Sequence, residues 1–148
     1  MATVVNYLLD TNILVAYVRA GPLGEYVERT YSLMAQPYKP LLCVVSVGEI
    51  LALARKLGWG SAKAAIMRSL LKEIVLVDVN IPESQEAYAE ICYFSEAHGQ
   101  KKGQNDYWIA ASAKVTGATL LTTDKDFDHL HDIHITRILI DESAARGL

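Results

Sequence analysis

Five short runs rich in aliphatic and β-branched residues constrain this sequence most: VVNYLL at 4–9, LLCVV at 41–45, IVLVDV at 74–79, TLLT at 119–122 and TRILI at 136–140. Each has the length of a strand, and stretches of helical period separate them. Thr11–Arg19 carries apolar residues at 13, 14, 17 and 18, one face of a helix. Pro22 stands where helices like to start and opens a second stretch over 22–35. After the second run, Ser46 is placed to cap a helix, with Glu49 three residues on at capping-box spacing. That helix reaches Leu57 and stops at Gly58 and Gly60. Ser61 opens a helix to Lys72, Pro82 opens a long one ending near Gly99, and 106–115 forms another. Strands alternating with helices predict parallel β-α units joined by right-handed crossovers. The expected fold class is α/β: a three-layer α/β/α sandwich with a mostly parallel sheet of about five strands.

The 148 residues suit one ordinary domain, so 1–148 is expected to be a single unit. With 51% hydrophobic and 21% charged residues, the chain can bury a core, which excludes global disorder. Its longest unbroken apolar run, ILVAYV at 13–18, is far short of a membrane span. No Lys or Arg precedes Arg19 and Asp10 already interrupts the first apolar stretch, a pattern unlike a signal peptide. Cys43 and Cys92 lie in apolar contexts without metal-ligand spacing, which fits reduced thiols. The expectation is a soluble, cytoplasmic protein with no membrane partner.

In an open α/β sheet, ligands bind outside the carboxyl ends of the strands. The first run ends LLD, which puts Asp10 on that lip. The second is followed by a helix with Glu49 in its first turn. Asp106 begins the helix before the fourth run, which itself leads into TTDKDF with Asp124 and Asp126. Acids make up 17 of 148 residues, so their recurrence at each of these junctions is a pattern to explain. Carboxylates gathered in one crevice must either raise a pKa or take up a cation. Hard oxygen donors without His or Cys select Mg2+ or Mn2+. Such an ion can lower the pKa of a bound water and stabilise charge on a phosphate, which points to phosphodiester hydrolysis. Each acid also has a plainer reading. Asp10 could cap the helix after it and Glu49 could serve only the capping box. Asp106 complements a helix dipole, and Asp124 and Asp126 could simply form a turn.

LLDTNIL at 8–14, SVGEI at 46–50, NDYWIAASA at 105–113 and LLTTDKDF at 120–127 resemble the four signature blocks of PIN domains. In length and wording the sequence is most similar to the toxin ribonucleases of VapBC toxin–antitoxin systems. The resemblance spans roughly residues 4–141. It implies that Asp10, Glu49 and Asp106 form an acidic triad holding Mg2+ (or Mn2+), that Asp124 is a fourth acid, and that Asp126 is a less regular fifth. It further implies that Asn12, Thr122 and Ser46 orient those carboxylates from behind. The implied activity is endonucleolytic cleavage of RNA by a metal-activated water, without a covalent intermediate. The implied partners are an RNA substrate, a cognate antitoxin protein and a second copy of the chain in a homodimer. The stretches 22–35 and 61–72 carry apolar positions suited to such partners, although core packing would use them equally well.

A net charge of −3 is unusual for a nucleic-acid binder, yet the basic residues are unevenly spread. Between Ile50 and Lys72 stand Arg55, Lys56, Lys63, Arg68 and Lys72 with no acid, and Lys101 and Lys102 precede Asp106. Arg55, Lys56, Lys101 and Lys102 are the candidates for tracking a phosphate backbone. Tyr107 and Trp108 could stack on a base or fill the core. His129, His131 and His134 lie close in sequence but across an irregular stretch, so a solvated loop is the expectation there. Two further readings stay open: a PIN nuclease of RNA processing, and a PIN-like scaffold that binds RNA or protein without cutting. A phosphatase-type α/β fold would want a D-x-D-x-[TV] block, which DTNIL does not supply.

Overall fold

The computed structural model describes residues 5–146. Five strands form one sheet: β1 (Tyr7–Leu9), β2 (Leu41–Cys43), β3 (Val75–Val77), β4 (Thr119–Thr122) and β5 (Thr136–Leu139). Around it lie α1 (Thr11–Arg19), α2 (Pro22–Tyr31), α3 (Val44–Lys56), α4 (Ser61–Lys72), α5 (Pro82–Ala97), α6 (Gln104–Thr116) and the short α7 (Glu142–Arg146). Leu33–Ala35 and Lys125–Leu130 are 3-10 turns. The strand order is β3-β2-β1-β4-β5 and every pairing is parallel. This is the three-layer α/β/α architecture expected from the alternation. No helix among the described residues is long and apolar enough to cross a membrane.

Period-two alternation distributes the strand residues between two cores. Leu8 and Leu120 point into one, with Ile91 of α5 and Ile109 of α6. Leu9, Leu42 and Leu121 point into the other, with Ile13 and Leu14 of α1, Val27 of α2, Ile50 of α3 and Met67 of α4. All but Ile109 (1% exposed) and Met67 (2%) are wholly inaccessible. The chain therefore runs β1, β2, β3 outward from the centre and then returns to place β4 on the other side of β1. Such a reversal opens a crevice at the carboxyl ends of the two central strands, here β1 and β4. Gly24 lets α2 press against α1, because a Cβ there would lie 2.5 Å from the Ala16 carbonyl oxygen.

Several boundaries differ from the sequence reading. Of 4–9 only Tyr7–Leu9 is strand, and Val4 lies outside the described residues. The second run ends at Cys43, because extended Cys43 is itself the cap of α3 and the helix begins at Val44. Ser46 is therefore the third residue of α3 and not its cap. The helix expected over 22–35 ends at Tyr31, where Ser32 turns into the left-handed region (φ 49°) and Leu33–Ala35 tightens into a 3-10 turn. The third run shortens to Val75–Val77 at the edge of the sheet, where Val75 and Leu76 are each 48% exposed.

Candidate active site

Asp10 reaches its position through the sheet. Its backbone N–H donates to the Leu121 carbonyl at 2.9 Å, which extends the β1–β4 ladder one residue beyond β1. The next residue begins α1, and the Asp10 carboxylate accepts the Thr11 backbone N–H at 2.8 Å. Capping is thus real, but it uses only Oδ1. Oδ2 accepts the hydroxyl of Thr122, the last residue of β4, at 2.6 Å. The Thr122 hydroxyl oxygen in turn accepts the Asp124 N–H at 2.9 Å, and Asp124 Oδ1 accepts the Asp126 N–H at 2.9 Å. One chain of hydrogen bonds therefore runs from the buried end of β1 to the 3-10 turn that carries the outer acids.

Glu49 is tied in from the other side. Thr11 Oγ1 stands 2.6 Å from Glu49 Oε1 and 2.8 Å from Ser46 Oγ. A hydroxyl has one proton, so Thr11 gives it to the carboxylate and keeps lone pairs for the Ser46 hydroxyl. Ser46 is fully buried and Thr11 is 7% exposed. The capping-box reading of Ser46 and Glu49 gives way to this arrangement: both residues face inward from the first turns of α3 and meet α1. Thr11 was not among the residues singled out in the sequence, although the threonine of D-T-N was the available signal. Asn12, its neighbour, lies elsewhere. It lines a cavity of about 220 Å³ with Arg19, Pro22 and Glu142, and its Oδ1 is buried without a partner. Among the described residues, no hydrogen bond joins Asn12 to any of the five acids, because the turn of α1 carries it away from them.

Asp106, in the first turn of α6, completes the group. Carboxylate oxygens of Asp106, Asp124 and Asp126 lie within 4.8 Å of one another, and all three residues are half-buried. The electrostatics show that the five acids form one unit. Burial pushes the Asp10 carboxyl up to about 6, with Asp124 and Glu49 adding to the rise and the Thr122 and Thr11 hydrogen bonds opposing it. Asp106 is pushed up to about 6 as well, first by burial and then by the charges of Asp10, Asp124, Asp126 and Glu49. A cation in their midst relieves that repulsion. The donor set is all oxygen, anionic and convergent, which fits a hard divalent ion such as Mg2+ or Mn2+.

The basic candidates divide. Lys102 lies at the site, its Nζ 3.3 Å from Asp126 Oδ1, whereas Lys101 beside it is exposed. Lys56 lines a cleft of about 490 Å³ with Glu49, Gly48, Leu53 and Asn105, so the cleft opens directly from the acids. Arg55 points away and donates to the Leu51 carbonyl. Tyr107 is 3% exposed and packs edge-on against Tyr88, while half-buried Trp108 lies against Tyr88 at the margin of the core. The histidines form no candidate metal cluster among the described residues: His129 bonds Ser95, His131 accepts the Arg137 N–H and His134 accepts from Lys114, while His129 and His134 both pack against Phe94. Asp106, Asp124 and Asp126 are the one candidate metal cluster among the described residues.

A family model described as PIN domain matches residues 7–133. No curated protein matches the chain. Among solved structures, VapBC2 from Rickettsia felis, bound to a DNA fragment from its promoter, is similar with a TM-score of 0.75 at 21% identity, over 88% of this chain and 97% of that one. VapBC-1 from nontypeable Haemophilus influenzae gives 0.72 at 20% identity, over 90% and 96%. VapBC-5 from Mycobacterium tuberculosis, a member of the VapBC family of toxin–antitoxin systems, gives 0.66 at 20% identity, over 93% and 100%.

Proposed function

Because the chain belongs to the PIN domain family, we propose that it is a metal-dependent endoribonuclease and the toxin of a VapBC-type toxin–antitoxin pair. The observation that carries this reading is the convergence of five carboxylates from four separate stretches of chain at the switch point of the sheet, two of them lifted to about 6.

Asp10, Glu49, Asp106, Asp124 and Asp126 are the residues that would hold Mg2+ or Mn2+. When bound, such an ion supplies the positive charge that lets these acids ionise together, acidifies a water and offsets charge on a phosphate. The protein's own part is placement. Thr122 fixes Asp10 and Asp124 in one stroke, and Thr11 fixes Glu49 with Ser46 behind it. Two of these bonds are buried and two partly so, and they orient the acids before any substrate arrives. Lys56, in the cleft beside Glu49, can meet an RNA phosphate next to the scissile one. Arg55 and Lys101 are exposed and would add only to the wider field. The toxin role and an antitoxin partner are supported by the VapBC complexes among the similar folds. A homodimer and a cytoplasmic setting complete the reading.

The test incubates purified protein with end-labelled total RNA in Mg2+ or in EDTA, beside Asp106→Asn. Discrete cuts that need Mg2+ and fall by on the order of 10³-fold in the variant bear the proposal out. Bound but uncut RNA overturns it in favour of a non-catalytic scaffold. Cuts specific to a structured precursor RNA, with no antitoxin frame beside the gene, would favour an RNA-processing nuclease.

A further inference from the structure

Lys102 is held at the acidic site by two separate contacts. Its Nζ lies 3.3 Å from Asp126 Oδ1, and the lysine side chain is 21% exposed where the aspartate is 46% exposed. Its backbone N–H donates to the Tyr107 hydroxyl at 2.7 Å. Tyr107 is 3% exposed and braced edge-on by Tyr88 with ring centroids 5.8 Å apart. A core tyrosine next in sequence to Asp106 therefore pins the loop that carries the lysine. The ammonium is delivered to the acids by packing, which distinguishes it from a surface side chain that swings into contact. Among the described residues, it is the one cation within ion-pair distance of any of the five acids.

We propose that Lys102 is a resident cation of the site, occupying the place at Asp126 that a second divalent ion would need, so that the protein binds one divalent ion and supplements its positive charge with a lysine. The inference rests on the metal-dependent reading above and settles a question which that reading leaves open, the number of ions. Asp106, Asp124 and Asp126 present oxygens within 4.8 Å of one another. Lys102 already holds one oxygen of this group, at the Asp126 end, while Asp106 is coupled by charge to Asp10 on the other side. An ammonium already on Asp126 Oδ1 repels an incoming dication and competes with it for that oxygen, so each weakens binding of the other. Lys102 has three donors and spends one on Asp126, which leaves two for a non-bridging phosphate oxygen. In that position a compact, strongly hydrated point charge suits phosphate without demanding planar geometry.

The experiment counts Mn2+ ions bound to the full chain by isothermal titration and by electron paramagnetic resonance of the free ion, for the wild type, Lys102→Met, Lys102→Arg and Lys101→Met. One ion is expected for the wild type, Lys102→Arg and Lys101→Met. Two are expected for Lys102→Met, the second at least tenfold tighter than any second binding to the wild type. Lys102→Gln reads the same quantity should the methionine variant fail to fold. Two ions in the wild type, or one in both Lys102→Met and Lys102→Gln, overturn the proposal and leave the nuclease reading intact. No ion bound by any of these proteins overturns the metal-dependent reading itself.

Discussion

The acidic site has two halves that are built differently. In the inner half, Asp10, Thr11, Ser46 and Thr122 are at most 7% exposed, and neutral hydroxyls bond the carboxylates of Asp10 and Glu49 at 2.6 Å. In the outer half, Asp106, Asp124 and Asp126 are half-buried around a helix start and a 3-10 turn, and their carboxylates crowd one another, with Lys102 as the countercharge at Asp126. The inner half is part of the hydrophobic fold: its residues continue β1, end β4 and open α1 and α3. The outer half adds little to folding and waits for charge. Folding builds the rigid wall of such a site, and a cation organises its rim.

Thr122→Val is the change that should break this division most deeply, because Thr122 belongs to both halves. It removes the donor to Asp10 and the acceptor of the Asp124 N–H while keeping the volume of the side chain. Leaving one buried and one half-buried partner unsatisfied is expected to cost about 1–3 kcal/mol of folding stability. Metal affinity should fall by roughly 10- to 100-fold, as is usual when a residue that orients a ligand is lost. Urea unfolding and Mn2+ titration measure the two quantities. A variant as stable as the wild type would show that the inner half is not a folding element.

How far this contrast was legible in the sequence follows the same line. The outer acids and Asp10 stand at strand ends and helix starts, where the alternation of runs makes their place readable from the sequence. The inner hydroxyls were harder. Ser46 and Glu49 at capping-box spacing have an ordinary local explanation, and only the early start of α3 at Val44 turns both inward to Thr11. That start depends on Cys43 being buried and extended at the end of β2, a strand paired on both sides, which is a tertiary fact. Asn12 was misplaced for the opposite reason. One step along α1 rotates a side chain by about 100°, so Thr11 faces the acids and Asn12 does not. The strand order was beyond the sequence altogether, since alternation gives parallel units without saying on which side of β1 the chain returns. Lys102 was read as one of several basic residues, and its meeting with Asp126 joins loops 24 residues apart.

The pH dependence separates the halves less drastically. Asp10 and Asp106 both rise from 3.8 to about 6. The folded, metal-free protein thus holds these two protons more tightly than the unfolded chain does. Their contribution to stability is fully present below about pH 4 and is lost as the pH rises through 6. In EDTA the melting temperature should therefore fall across pH 4 to 6.5. Asp106→Asn should flatten part of that fall, and the part left over belongs to Asp10. Saturating Mg2+ should raise the melting temperature more at pH 7 than at pH 5, since only the ionised acids bind it. A metal-free melting temperature that climbs through this window would remove the repulsion on which the outer half is argued to rest.

The smallest effect belongs to Asp126. Its substitution to Asn relieves like-charge repulsion on Asp106 but also ends the ion pair with Lys102, and the carboxylate is 46% exposed. Exposed pairs contribute about 0–1 kcal/mol, and the two changes oppose each other. Unfolding free energy in EDTA should then move by no more than about 0.5 kcal/mol, against the 1–3 kcal/mol expected at Thr122. The backbone of the turn keeps its anchor, because the bond from the Asp126 N–H to Asp124 Oδ1 survives the substitution. A near-silent Asp126→Asn beside a costly Thr122→Val would place the boundary between wall and rim at the hydrogen bond from Asp124 to Thr122. A cost at Asp126 equal to that at Thr122 would extend the folding element through the whole turn, and the outer acids would then be as preorganised as Asp10.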